Sequence, residues 1–144
     1  MIRAEVVVRP PTPDEVASAL AGALRRAPVA AAWVYGSIAR GDARSSSDVD
    51  LAVLWAGHAG SDLRRERTRL EREAGAAAAP RRVSVVDAGA APLLLAHRVV
   101  RDGVLVYETD ARRRGRFVAR VLERFAAGRG ARAALDAATL HRLA

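Results

Sequence analysis

The chain has 144 residues and a formal net charge of +8, and half of it is hydrophobic; that is enough for one domain with a real core and excludes a disordered chain. Cysteine is absent, which excludes disulfides, thiolate metal sites and a cysteine nucleophile. Every basic residue is arginine, and aromatics make up only 4%, so a stacking platform for single-stranded nucleic acid is not expected.

The segment "PTPDEVASALAGALRRA" opens with a helix-start signal. Thr12 is the predicted N-cap, Pro13 suits the first helical position, and Glu15 completes a capping box. "VAAAWVY" (29–35) is a continuous apolar run of strand length, expected to be a central strand covered on both faces. Gly36-Ser37 then turns the chain, and "SIARG" is long enough for one or two helical turns. After the "DARSSS" loop, "DVDLAVLW" (48–55) reads as a second strand with an apolar far end. "SDLRRERTRLEREAG" reads as a largely solvated helix, capped at Gly75 or extended by the alanines beyond it. "RRVSVVD" (81–87) is the third strand, "APLLLAHRVVRDG" a helix closed by Gly103, and "VLVYE" a short fourth strand. Two helices complete the chain: "TDARRRGRFVARVLERFAAG", with Phe117, Val121, Leu122 and Phe125 on one face, and "ARAALDAATLHRLA". The Arg112–Arg114 run falls at a helix start, where the macrodipole disfavours cations. The pattern predicts a mixed α/β (α+β) domain spanning 1–144, with a small mixed sheet of about four strands flanked by helices. Its core covers about 13–108 and its C-terminal helices about 109–143. The start lacks the apolar core of a signal peptide, and no apolar run approaches the roughly 20 residues that span a bilayer; a cytoplasmic protein with no membrane partner is expected.

The chemistry concentrates in "GSIARGDARSSSDVDL" (36–51). Residues two apart in a strand share a face, so Asp48 and Asp50 project side by side, roughly 6–7 Å apart at the backbone. Two carboxylates that close repel, and a divalent cation reverses the cost; Mg²⁺ takes carboxylate oxygens and keeps water and substrate phosphates as its other ligands. Taken alone, a D-x-D is more often an Asx turn. Here Gly36 allows an unusual backbone angle or close ligand approach, Ser37 begins a short helix whose free N–H groups suit phosphate, and Arg40 lies one turn on. An anion cradle beside a cation pair fits a nucleoside triphosphate with Mg²⁺.

The same residues, "GSIARGDARSSSDVDLAV", resemble the G-S-x-A-R-G…S-D-x-D-L signature of the minimal nucleotidyltransferases of the polymerase-β-like superfamily. "VVDAGAAPLLLAHRVVRDGVLVYE" looks like that family's downstream strand, helix and R-D-G-x-L-x-Y-E segment, and "RFVARVLERF" resembles the C-terminal helix of its antitoxin branch. The likeness covers nearly the whole chain, strongest at 33–54 and 92–108. It implies a polymerase-β-like nucleotidyltransferase fold and transfer of AMP from ATP to a hydroxyl with release of pyrophosphate. It further implies Gly36 and Ser37 on the β/γ-phosphates, Arg40 as a phosphate contact, and Asp48 and Asp50 on Mg²⁺, two ions being usual. The implied partner is a HEPN-type ribonuclease toxin, adenylylated on a tyrosine near its active site.

Members usually carry a third acid on the next core strand, within "V-D-L-V-D-L-N-x-A-P". Aligned on Pro92, this chain reads "V-S-V-V-D-A-G-A-A-P", so Ser84 stands where the first acid is expected and Asp87 where the second stands. Strand alternation puts Ser84 and Asp87 on opposite faces unless a bulge or strand end re-aims one of them. Asp87 therefore serves as the third catalytic acid, or the site holds only Asp48 and Asp50 and is weakened. Two other functions stay open: an antitoxin that neutralises by occluding the toxin, and a nucleic-acid-binding domain suggested by the charge. His58 is expected at the surface, His97 partly in the core, His141 exposed, and Tyr107 and Trp33 in packing roles. Trp55 is also expected in the core, or near a nucleotide base.

Overall fold

The computed structural model describes residues 9–57 and 62–143, the last of these (130–143) as helical backbone only. The expectation for His58 lies outside the described residues, as does that for the side chain of His141. The elements are α1 (Pro13–Arg25), β1 (Val29–Tyr35), α2 (Ser37–Arg40), β2 (Val49–Trp55), α3 (Leu63–Ala78), β3 (Val83–Asp87), α4 (Leu93–Asp102), β4 (Val104–Glu108) and α5 (Ala111–Leu143). The four strands form one mixed sheet in the order β3-β2-β1-β4. β1 pairs antiparallel with β2 and β4, and β2 pairs parallel with β3 through the α3 crossover.

Both faces of the sheet are covered. On one, Val16, Leu20 and Leu24 of α1 and Leu70 and Ala74 of α3 pack on Val34, Leu51, Val53 and Trp55. On the other, Ala96 and Val99 of α4 and Phe117 and Val121 of α5 pack on Ala30, Ala31, Trp33, Ala52 and Leu54. β1 supplies both clusters, which is why its sequence is apolar without alternation. A register irregularity between Val29 and Ala31 lets the adjacent Ala30 and Ala31 join the same cluster. Both tryptophans are buried, Trp33 with its ring 5.6 Å from that of Phe117.

The N-terminal capping signal is realised: the Glu15 N–H donates to Thr12 Oγ1 at 3.2 Å, while the Glu15 carboxylate takes the Thr12 hydroxyl and the Arg9 guanidinium. α3 takes the longer of its two expected forms, running past Gly75 to Ala78, because one exposed-helix glycine costs only about 1 kcal/mol and alanines follow. Two expectations are corrected. The C-terminal region is one helix of 33 residues rather than two, since Gly128 and Gly130 come without proline or turn residues to stop it. Leu122 does not share the buried face of Phe117 and Val121 and is 47% exposed. The arginine run at the α5 start is offset locally: Asp110 accepts the Arg113 N–H, Arg113 Nε donates to the Trp55 carbonyl at 2.7 Å, and Arg114 pairs with Glu108. Among the described residues no helix is long and apolar enough to cross a membrane.

Candidate active site

At the end of β1 the chain must reverse into α2 while leaving room for β2. Gly36 does this with φ 76° and ψ −149°, a region essentially closed to other residues. A Cβ on Gly36 would lie 2.5 Å from Asp50 Oδ2, so the backbone at the turn and the carboxylate on β2 are in direct apposition. Ser37 opens α2, Arg40 closes it, and Gly41 (φ 79°) ends it in the left-handed region. The N–H groups preceding that of Arg40 have no acceptor within the helix.

Asp50 stands opposite Tyr35 on β1 and opposite Ser84 on β3. It shares the sheet face of Ala52 and Leu54, over which α4 lies. Burial pushes its carboxyl above the usual range, the neighbouring Asp48 charge pushes it further, and Arg40 pulls it back. Asp48 lies just before β2, not within it, and is exposed; the D-x-D is therefore one acid half-buried against the sheet and one facing solvent. Burial, and then Asp50, also raises the Tyr35 phenol, which stays neutral.

Tyr35, Gly36, Ser37, Arg40 and Asp50 line one open cavity of about 400 Å³ with Leu95, Arg98 and Asp102 of α4. Four of the predicted residues are thus brought together, and Asp48 acts on Asp50 from the rim. Three participants are not among the residues expected from the sequence: Tyr35, Arg98 and Asp102. Arg98 is exposed and makes no ion pair among the described residues, so the cavity has two guanidinium groups, from α2 and α4, beside the Gly36–Ser37 turn. Asp102 is held by a two-point bond from Arg101 at 2.8 and 3.0 Å. No signal in the local sequence marks Arg98, because its place depends on how α4 crosses the end of the sheet.

Asp87 is elsewhere. It is in register with Val53, three residues along from Asp50, and it lines a different cavity with Leu54, Trp55 and Phe117. Its Oδ1 accepts the Gly89 and Ala90 N–H groups at 2.9 and 3.3 Å, so it terminates β3 as an Asx turn. The residue beside Asp50 on β3 is the exposed Ser84. Trp55, five residues from Asp50 at the far end of β2, is also remote from this cavity. His97 stacks on Phe125 (centroids 3.5 Å) and belongs to packing, as expected.

The two carboxylates, one desolvated and raised by the other, are hard oxygen donors of the kind a divalent cation takes, although among the described residues no group of three or more His, Cys, Asp or Glu is placed to hold a metal ion. The charge on Asp50 also carries a stability cost with a defined sign. Its folded pKa is raised, so the fold is penalised once both states are ionised, above the folded pKa, and relieved below the unfolded value near 3.8. Asp50→Asn is expected to raise the thermal midpoint at pH 7 and not at pH 3. Calorimetry at both pH values checks this, and an equal or lower midpoint at pH 7 contradicts it.

Residues 20–112 match the family model described as polymerase beta, nucleotidyltransferase. No match was found among curated protein sequences. Among solved structures, a toxin–antitoxin crystal structure with AMP-PNP is 21% identical, covers 86% of this chain and 98% of that chain, and has a TM-score of 0.69. A tri-AMPylated Shewanella oneidensis HEPN toxin in complex with MNT antitoxin gives 19% identity, coverage of 90% and 99%, and a TM-score of 0.65. The toxin–antitoxin MntA–HepT gives 20%, 87% and 97%, and 0.64. At these identities the likeness shows the fold, a mixed sheet with helices on both faces, while the family model spans the strands, the Gly-Ser turn and the aspartate pair. The chain belongs to the polymerase-β nucleotidyltransferase family.

Proposed function

We propose that this chain is an antitoxin that transfers AMP from ATP to a tyrosine of a partner HEPN-type toxin. The observation that carries the reading is the apposition of the Gly36 turn and the Asp50 carboxylate, 2.5 Å from where a Cβ would stand, in a cavity that also holds Ser37, Arg40 and Arg98. Phosphate oxygens are received at Ser37 and its backbone N–H, and the two guanidinium groups neutralise them. Asp48 and Asp50 would hold Mg²⁺, which supplies charge neutralisation at the reacting phosphate. The acceptor oxygen attacks the α-phosphorus, the bond to pyrophosphate breaks, and the acceptor's proton passes to solvent water. A phenol, with a pKa of about 10, sheds that proton far more readily than an aliphatic hydroxyl. Tyrosine is therefore the acceptor that asks least of a site whose β3 neighbour is Ser84. The toxin as partner is supported by the fold neighbours, which are complexes of HEPN toxin with MNT antitoxin or carry AMP-PNP.

Incubation of the chain with a HEPN toxin, ATP and Mg²⁺ should add one or more AMP masses to the toxin. Asp48→Ala and Asp50→Ala should each abolish the shift; a wild-type chain that gives no adduct sinks the transfer reading. Asp87→Asn should leave the adduct yield within about threefold of wild type while weakening the β3 turn by about 1 kcal/mol. A loss of transfer as large as that of Asp50→Ala would instead make Asp87 the third acid. Ser84 beside Asp50 favours one second reading, neutralisation by occlusion alone. In that case Asp48→Ala still protects cells from the toxin. If protection vanishes while the complex survives, occlusion is inadequate.

A further inference from the structure

The far end of the sheet carries a second concave feature that nucleotidyl transfer does not use. Beyond Trp55 and Asp87, a cavity of about 400 Å³ is lined on the α5 side by Arg113, Arg116 and Arg120, over a floor of Leu54, Trp55 and Phe117. A contiguous depression shares Trp55, Leu63, Asp87 and Ala90 with it and is lined on the α3 side by Arg64 and Arg67. Together they make a groove lined by three arginines from α5 and two from α3. The spacing is helical: 113, 116 and 120 share one face of α5, and 64 and 67 one face of α3.

In an arginine-rich chain a basic surface means little by itself, and among the described residues exposed arginines outside the groove, such as Arg25, Arg82 and Arg98, are also without an ion pair, so what decides is the convergence of five arginines on one depression. Elsewhere several arginines are matched: Arg26 with Glu73, Arg69 with Glu66 and Glu73, Arg101 with Asp102, Arg114 with Glu108. Among the described residues, Arg64, Arg67, Arg116 and Arg120 have no ion-pair partner, and Arg113 bonds only a carbonyl. Among the described residues Asp87 is the one carboxylate lining the groove, and it is engaged by two backbone N–H groups. Five converging cations therefore face one acid, and the arrangement is complementary to a linear polyanion. Along each helix successive arginines are three or four residues apart, ~4.5–6 Å of rise along the axis, a spacing that suits repeated phosphates. Trp55 and Phe117 are only 4% and 7% exposed, so bases have no ring to stack on. The scarcity of aromatics excludes stacking, and leaves phosphate contact open.

We infer that this groove is a binding site for the phosphodiester backbone of single-stranded nucleic acid, separate from the nucleotidyltransferase cavity and indifferent to base sequence. The test is fluorescence anisotropy of the full chain with fluorescein-labelled U12 RNA and dT12 DNA, between 20 and 300 mM salt. Both probes should bind, with affinity falling steeply with salt. Arg116→Gln/Arg120→Gln should lower the log–log salt slope by about 1.4, at roughly 0.7 per lost phosphate contact on a single strand. Arg116→Glu/Arg120→Glu should weaken binding at least tenfold more than Arg25→Glu/Arg82→Glu, a control with the same charge change at exposed arginines outside the groove. These substitutions lie on exposed faces, and unchanged circular dichroism confirms the fold in each. Equal losses for the two charge-reversed pairs would show that only net charge is sensed and overturn the site. So would no binding of either probe at 20 mM salt. Binding of RNA but not DNA would retain the groove and add a contact to the 2′-hydroxyl.

Discussion

Gly36→Ala is expected to reduce AMP transfer by at least ~100-fold and to lower the thermal midpoint by roughly 5–10 °C. Two separate costs act at this position. The backbone has φ 76° with ψ −149°, where a side chain is strained by about 1–3 kcal/mol. The added methyl would also sit 2.5 Å from Asp50 Oδ2, and the carboxylate has to move. Asp50 is on a central strand, so it escapes by side-chain rotation and not by backbone shift, and a displacement near 1 Å of a reacting group costs about 100-fold. The two costs can be separated experimentally. Gly36→Ala in an Asp50→Ala background keeps the backbone strain and removes the collision, so it should recover part of the stability and none of the activity. If Gly36→Ala alone retains wild-type turnover, the turn does not position Asp50, and the cavity has been assigned the wrong centre.

Local signals in the sequence were sufficient wherever one segment determines its own shape. Thr12, Pro13 and Glu15 specify the start of α1, and the unbroken apolar run of β1 specifies a strand covered on both faces. Gly36-Ser37 and Asp48-x-Asp50 announce their chemistry because one short segment holds them all. What could not be read locally depends on how elements cross. Arg98 enters the cavity only because α4 lies over the end of the sheet, and Tyr35 only because β1 pairs with β2 opposite Asp50. The strand pairing that puts Ser84, and not Asp87, beside Asp50 is a long-range register. The split of the C-terminal region into two helices gave weight to two glycines that a long helix tolerates. The arginine groove was invisible for the same reason as Arg98: its arginines come from α3 and α5, more than forty residues apart in sequence.

Ser84→Asp is expected to raise the rate of AMP transfer by ~10-fold or more. Ser84 pairs directly with Asp50 across a parallel ladder, where strands lie about 4.8 Å apart, and both residues project from the same sheet face. A carboxylate there completes a set of three acids at one edge of the cavity. It provides what a serine does not: an acceptor for the tyrosine proton, worth about 10²–10⁴ in rate when well placed, or a further cation ligand. Ser84 is exposed, so the new charge is introduced without desolvation, and its main cost is repulsion from Asp50. That cost makes a second, independent readout. Without Mg²⁺ the variant should melt below wild type, and saturating Mg²⁺ should raise its midpoint more than it raises that of wild type, because binding to the folded state alone stabilises it. Ser84→Asn separates size from charge and should show neither the rate gain nor the added Mg²⁺ response. Equal rates for Ser84→Asp, Ser84→Asn and wild type would mean that transfer is limited by a step other than chemistry at the acceptor, and that two aspartates are all this site requires.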